Sequence, residues 1–231
     1  MLARRDAALA PLTTLRLGGP ARRLVTVYDE ASLLQVLAEG PALVLGGGSN
    51  IILTNDMPQV VLKVEILGRR LVQETPQAWI VEAGAGENWH EVVAWTLQQG
   101  WAGLENLALI PGSVGATPVQ NIGAYGMELQ DRFDSLDAVD LITGLTVTLG
   151  PDDCRFGYRD SVFKHALSGR SLITRVRFAL PRPGDRQVLV HHLREVQGAR
   201  LAPGKDRLLD VGRKKGEPYQ PPLIRVTSAQ S

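Results

Sequence analysis

The chain has 231 residues, 44% of them hydrophobic, with 25 Lys and Arg against 24 Asp and Glu for a net charge of +1. That length supports one large domain or two small ones with a real core, and the composition excludes wholesale disorder. The near-neutral balance gives no strong field to attract nucleic acid or a membrane surface, so neither is expected as a partner. A single cysteine, Cys154, forbids an intrachain disulfide, and no Cys/His cluster suggests zinc. With no secretory pattern and no apolar run near ~20 residues, the expected location is the cytoplasm.

In chain order, residues 23–28 (RLVTVY) predict a strand and Asp29 starts a helix with Leu33, Leu34 and Leu37 on one face, stopped at Gly40. Residues 42–45 (ALVL) read as a buried strand that breaks at Gly46-Gly47-Gly48-Ser49-Asn50. Residues 51–53 and 60–63 are further strands, and the whole reads as a small α/β unit. A second segment opens near Leu67. Its strand 79–83 runs into Gly84-Ala85-Gly86, and Asn88 with Glu91 resembles a capping box before the amphipathic WHEVVAWTLQQ, closed by Gly100. Residues 135–149 predict a hairpin around Thr143-Gly144, and 172–180 another strand. From His191 to Ser231 eight Lys and Arg face four Asp and Glu. One helix over 191–201 and then a poorly ordered tail are expected there.

Three stretches can carry chemistry. Glycines at 46–48 permit positive φ and let successive backbone N–H groups form a concave anion site, with Ser49 and Asn50 as extra donors. A plain tight loop is the alternative. The spacing fits neither a Walker loop nor GxGxxG. Residues 109–126 (LIPGSVGATPVQNIGAYG) hold four glycines, two prolines and no charge. An uncharged loop of that length points to a ligand-lining role, with a structural loop as the alternative. Residues 154–165 (CRFGYRDSVFKH) group aromatic and cationic side chains, among which Arg159 and Lys164 suit a carboxylate or phosphate. A solvated turn with an Asp160 ion pair is the plainer alternative. His90, in the second turn of its helix, reads as structural, Cys154 as packing, and Trp79, Trp89, Trp95 and Trp101 as core.

Taken together, TLRLGGPAR, LGGGSNIIL, AGAGENWHEVV, GLENLALIPGSVGATPVQNIGAYGMEL and CRFGYRDSVFKH resemble the UDP-N-acetylenolpyruvoylglucosamine reductases over roughly residues 11–183. The resemblance implies an α+β fold. Two α/β subdomains, 1–66 and 67–183, would clasp FAD as in the vanillyl-alcohol-oxidase/PCMH-type flavoproteins, followed by a divergent basic tail over 184–231. It implies that Gly46, Gly47, Gly48, Ser49 and Asn50 meet the FAD diphosphate. It implies that Pro111, Gly112, Ser113, Gly115, Thr117, Gln120, Asn121 and Gly123 run along the flavin and its ribityl chain. Tyr125, Tyr158 and Arg159 would face a nucleotide-sugar substrate, with Arg159 catalytic through the enolpyruvyl carboxylate. NADPH is the implied reductant. The family's Gly-Ser-Phe-Phe-Lys-Asn-like segment and C-terminal Glu have no counterpart here, and their roles do not transfer to Ser228 or Glu217. The expectation is therefore a flavin binder with impaired turnover, the alternative being a non-catalytic FAD-binding module.

Overall fold

The computed structural model describes residues 2–37, 42–182 and 224–226. The expected stop at Gly40, the helix over 191–201 and all of the 184–231 tail except 224–226 lie outside the described residues.

Strands β1 (Leu2–Ala8), β2 (Pro20–Val27), β3 (Ala42–Leu45) and β5 (Met57–Val64) form a four-stranded sheet in the order β1-β2-β5-β3. The first pair is antiparallel, and β2, β5 and β3 run parallel. Parallel strands buried on both faces need near-continuous apolar runs, which VVL in β5 and RLVTV in β2 supply. One face packs Val25, Val27, Leu62 and Val64 into the main core. The other closes a smaller core of Leu9, Leu24, Leu53 and Val61. The helix expected after Asp29 is α1 (Glu30–Leu37), and the Asp29 carboxylate caps it by accepting the Ser32 N–H at 2.6 Å. β3 is less buried than expected, since only Leu45 is closed from solvent.

Strand β4 (Ile51–Leu53) pairs in parallel with β13 (Ile224–Val226), outside the larger sheets. The second large sheet is wholly antiparallel. Its order is β11-β10-β12-β7-β6, from β6 (Arg69–Glu74), β7 (Ala78–Gly84), β10 (Phe133–Asp140), β11 (Thr146–Leu149) and β12 (Ser171–Pro181). The expected hairpin at Thr143-Gly144 is the β10–β11 pair, with Gly144 at φ +74°. One face of this sheet sends Val81, Ala83, Leu136, Val176 and Phe178 into the main core. The opposite face carries a charge ladder. Buried Glu82 meets Arg70 at 2.7 Å and Arg177 at 2.8 Å, and Arg177 also bonds Asp137, which accepts from Thr148.

Helix α2 (Trp89–Gln98) lies between the glycine-rich turns and the second sheet. Asn88 Oδ1 caps it from the Glu91 N–H at 3.1 Å. The Glu91 carboxylate turns to Arg69 instead of returning to the cap. Trp89 is buried against Phe178 at 5.6 Å, and Trp101 meets Trp79 at 6.3 Å and the edge of Trp95 at 5.5 Å in a separate, partly buried group. A short helix, α3 (Pro151–Cys154), follows β11. Sequence patterning misses β1, β6 and the small hairpin of β8 (Gly123–Ala124) and β9 (Met127–Glu128). β1 and β6 are exposed edge strands without apolar alternation. The small hairpin turns at Tyr125 and Gly126, both at positive φ, the geometry that matches strand twist.

Candidate functional site

Residues 46–50 leave β3 as a bend. Gly48 has φ +68°, and a Cβ there would run into the Leu12 carbonyl oxygen, so only glycine fits. A Cβ on Gly46 would lie 2.6 Å from Ser113 Oγ, and one on Gly47 3.1 Å from Gly112 Cα. The first glycine bend therefore touches the second. Two hydrogen bonds join them: Ser49 Oγ donates to the Pro111 carbonyl at 3.1 Å, and Asn50 Nδ2 to Gln120 Oε1 at 3.1 Å.

The second bend is pinned from the other side. The Val114 and Gly115 amides donate to the Glu87 and Ala85 carbonyls at 2.9 Å, and Trp89 N–H donates to the Gly112 carbonyl at 3.1 Å. Gly115 approaches Ala85 so closely that a Cβ would stand 2.6 Å from that methyl group. The run 84–88 thus serves as the platform for the long loop, which contains one 3₁₀ turn at Val114–Ala116.

Between the two bends lies a cleft of about 300 Å³. Of the residues expected to meet the cofactor, Gly46, Gly47, Gly48, Ser49, Asn50, Pro111, Ser113, Gly115, Thr117 and Gln120 line it. Gly112, Asn121 and Gly123 are not among its lining residues. Asn121 is fully buried and structural: its amide donates to Glu128 and to the Gly157 carbonyl, and its oxygen accepts the Gln130 N–H. Tyr125, Tyr158 and Arg159 also stand outside the lining, and both tyrosines are more than two-thirds exposed. Arg159 connects to the loop all the same, because its Nη2 donates to the Gly123 carbonyl at 2.6 Å. Its own carbonyl accepts from Lys164 Nζ at 2.6 Å, and Asp160 pairs with His165 at 2.8 Å.

Of the walls of the cleft, Ile110, Val119 and Ile122 lie in the loop read from sequence as ligand-lining, whereas Trp89, Phe163 and Ile173 were not expected there. Trp89, Ile110, Val119, Ile122, Phe163 and Ile173 supply flat apolar surface. Ile173 reaches it because the β10–β12 register shifts between Asp137 and Ala138, leaving Thr174 as an extra residue. That bulge exchanges the faces of the strand and turns Ile173 and Ser171 toward the cleft. No residue with an acidic, basic or thiol side chain is among the described lining. His90 Nδ1 accepts the Leu109 N–H at 3.3 Å, a structural role. Burial pushes the Cys154 thiol up to about 12, with Asp153 adding to it, so it is no nucleophile at neutral pH. Among the described residues no helix is long and apolar enough to cross a membrane, and no group of three or more His, Cys, Asp or Glu could hold a metal.

The site suits a long ligand with an anionic middle. The amides of Gly47, Gly48 and Ser49 have no acceptor among the described residues. Asn50 Oδ1 is buried without a partner among the described residues. A row of free donors, an orphaned acceptor and apolar walls meet in one crevice. Residues 25–150, more than half of the chain, match the FAD binding domain family. The chain belongs to that family.

This FAD binding domain is 58% identical over 185 residues to a UDP-N-acetylenolpyruvoylglucosamine reductase of Azoarcus sp. (strain BH72), covering 76% of this chain and 53% of that protein. The chain thus spans about half the length of the curated relatives it matches first. The crystal structure of the reductase of the same name from Thermus caldophilus superposes with a TM-score of 0.69 at 29% identity, over 87% of this chain and 70% of that one. Cholesterol oxidase from Brevibacterium sterolicum shares the fold alone, with a TM-score of 0.56 at 16% identity over 78% of this chain and 37% of that one. The expected α+β flavoprotein fold is the one observed.

Proposed function

We propose that the chain holds FAD between its two glycine bends and belongs to an NADPH-using reductase that converts UDP-N-acetylglucosamine enolpyruvate to UDP-N-acetylmuramate. The contact of the two bends, whose residues 47–49 line an apolar-walled cleft with amides that have no acceptor among the described residues, carries this reading. The amides of Gly47, Gly48 and Ser49 hold the diphosphate, and the orphaned Asn50 Oδ1 accepts from a hydroxyl or ring N–H of the cofactor. Pro111, Ser113, Gly115, Thr117 and Gln120 run along the ribityl and ring portions. When bound, FAD supplies the hydride relay from NADPH to the enolpyruvyl group.

The protein's own part is orientation and charge. Arg159 is held at φ +54° in the two-residue turn between Gly157 and Asp160, whose backbone groups bond each other at 3.0 and 3.1 Å. One guanidinium nitrogen is spent on the Gly123 carbonyl, and the others remain for a substrate carboxylate beside exposed Tyr125 and Tyr158. Negative charge moves toward that carboxylate during hydride addition, and a pre-positioned cation there lowers the barrier by several kcal/mol, on the order of an oxyanion-hole donor. The apolar walls exclude water from the reacting face.

The absence of titratable groups from the described lining favours a second reading, a domain that binds FAD without turning over. Anaerobic mixing of the FAD-loaded chain with NADPH separates them. Bleaching followed by reoxidation with the enolpyruvyl nucleotide supports the reductase. Bound flavin that stays oxidised supports the binding module. A chain that retains no flavin after incubation and desalting overturns both.

A further inference from the structure

Lys63 stands on β5 directly beneath the first glycine bend, outside the cleft lining. Its Nζ donates to the Gly46 carbonyl at 2.8 Å and pairs with Glu65 Oε1 at 3.1 Å. Its side chain is only 18% exposed, an unusual place for a lysine. The neighbouring strand pairing puts Leu45 opposite Lys63, so the ammonium reaches the residue just past the strand end.

A trans peptide points its C=O and the following N–H in opposite directions. Holding the Gly46 carbonyl from below therefore turns the Gly47 N–H upward, away from Lys63. The pattern repeats two residues on, where the Gly48 carbonyl accepts the Thr14 N–H at 2.9 Å and the Ser49 N–H is turned the opposite way. The amides of Gly47 and Ser49 have no acceptor among the described residues. Glycine peptides flip at little steric cost, so an unbuttressed bend would sample orientations that point these donors elsewhere.

We infer that Lys63 is a positioning residue for the anion cradle, fixing the Gly46–Gly47 peptide so that its N–H meets the diphosphate of the bound cofactor. Its charge is largely met by Glu65, so it acts through orientation and not as a phosphate ligand. The inference rests on the flavin reading above and names how this site is built. Losing one aimed donor to a charged acceptor corresponds to about a tenfold to hundredfold weaker affinity.

The test compares the 231-residue chain as wild type, Lys63→Met and Lys63→Arg by flavin fluorescence titration with FAD and with riboflavin, which lacks phosphate. Melting of the cofactor-free proteins is followed in parallel. The expected result is FAD affinity at least about tenfold weaker in Lys63→Met, riboflavin affinity unchanged, unliganded melting within a few degrees of wild type, and recovery in Lys63→Arg. Equal FAD affinity in wild type and Lys63→Met overturns the inference alone. An equal loss for FAD and riboflavin also overturns it, because a general structural role would act on both. Wild type that binds no FAD overturns the flavin reading, and the assignment of Lys63 with it.

Discussion

Gly48 carries two constraints at once, a left-handed φ and contact with the Leu12 carbonyl. Gly48→Ala must break one of them, at a cost of roughly 1–3 kcal/mol in local strain. The bend will then open, and purified Gly48→Ala will show a reduced flavin-to-protein absorbance ratio with an unchanged far-ultraviolet circular dichroism spectrum. In the proposed function Arg159 holds the substrate carboxylate, outside the cleft lining. Arg159→Ala removes the cation but leaves both glycine bends, so flavin absorbance should persist while turnover falls by about a hundredfold or more, read by NADPH oxidation. The sequence suggested both residues because glycine runs and the Arg-bearing motif are local signals. Lys63 gave no such signal. It sits in an apolar strand and matters only through the carbonyl that the adjacent strand end brings above it.

Among the elements, α2 depends on its cap. The Asn88 side chain is the acceptor for the Glu91 N–H, and Asn88→Ala should cost about 1 kcal/mol, measured as a shift in the urea midpoint. The antiparallel sheet depends on its outer ladder. Burial pushes the Asp137 carboxyl up, but hydrogen bonds from Arg177 and Thr148 and the charges of Arg177 and Arg175 outweigh it, leaving it below 3.8. A carboxylate lowered by folding adds stability above its unfolded value and loses it as the pH falls through the folded value. Wild type should therefore lose more stability between pH 7 and pH 3 than Asp137→Asn, as shown by urea melts at both pH values. Long, periodic elements such as α1, α2 and β12 were legible from patterning. The bulge at Thr174 was not, because an added residue leaves the composition of a strand unchanged while reversing which side chains face the cleft.

At the scale of the molecule, both sheets drain into one core. Val25 and Val64 of the first pack in the same cluster as Val81 and Phe178 of the second, so the cleft between the bends opens over a shared floor. A ligand that bridges the bends stabilises both parts together. By mass action, FAD at 100 times its dissociation constant should add about 2.7 kcal/mol, read as a concentration-dependent rise in melting temperature. The sequence showed two glycine-rich stretches but not their contact, since nothing local ties Ser49 to Pro111 or Asn50 to Gln120 across more than sixty residues. The five-stranded sheet has one more consequence. Its β6 border is studded with Arg69, Arg70 and Glu74, whose charges repel an incoming chain. Its β11 border reads Thr-Val-Thr-Leu and is uncharged, mostly exposed and, among the described strands, paired on one side only. When the polypeptide is crowded or still maturing, that rim offers strangers an unguarded line of backbone hydrogen-bonding groups.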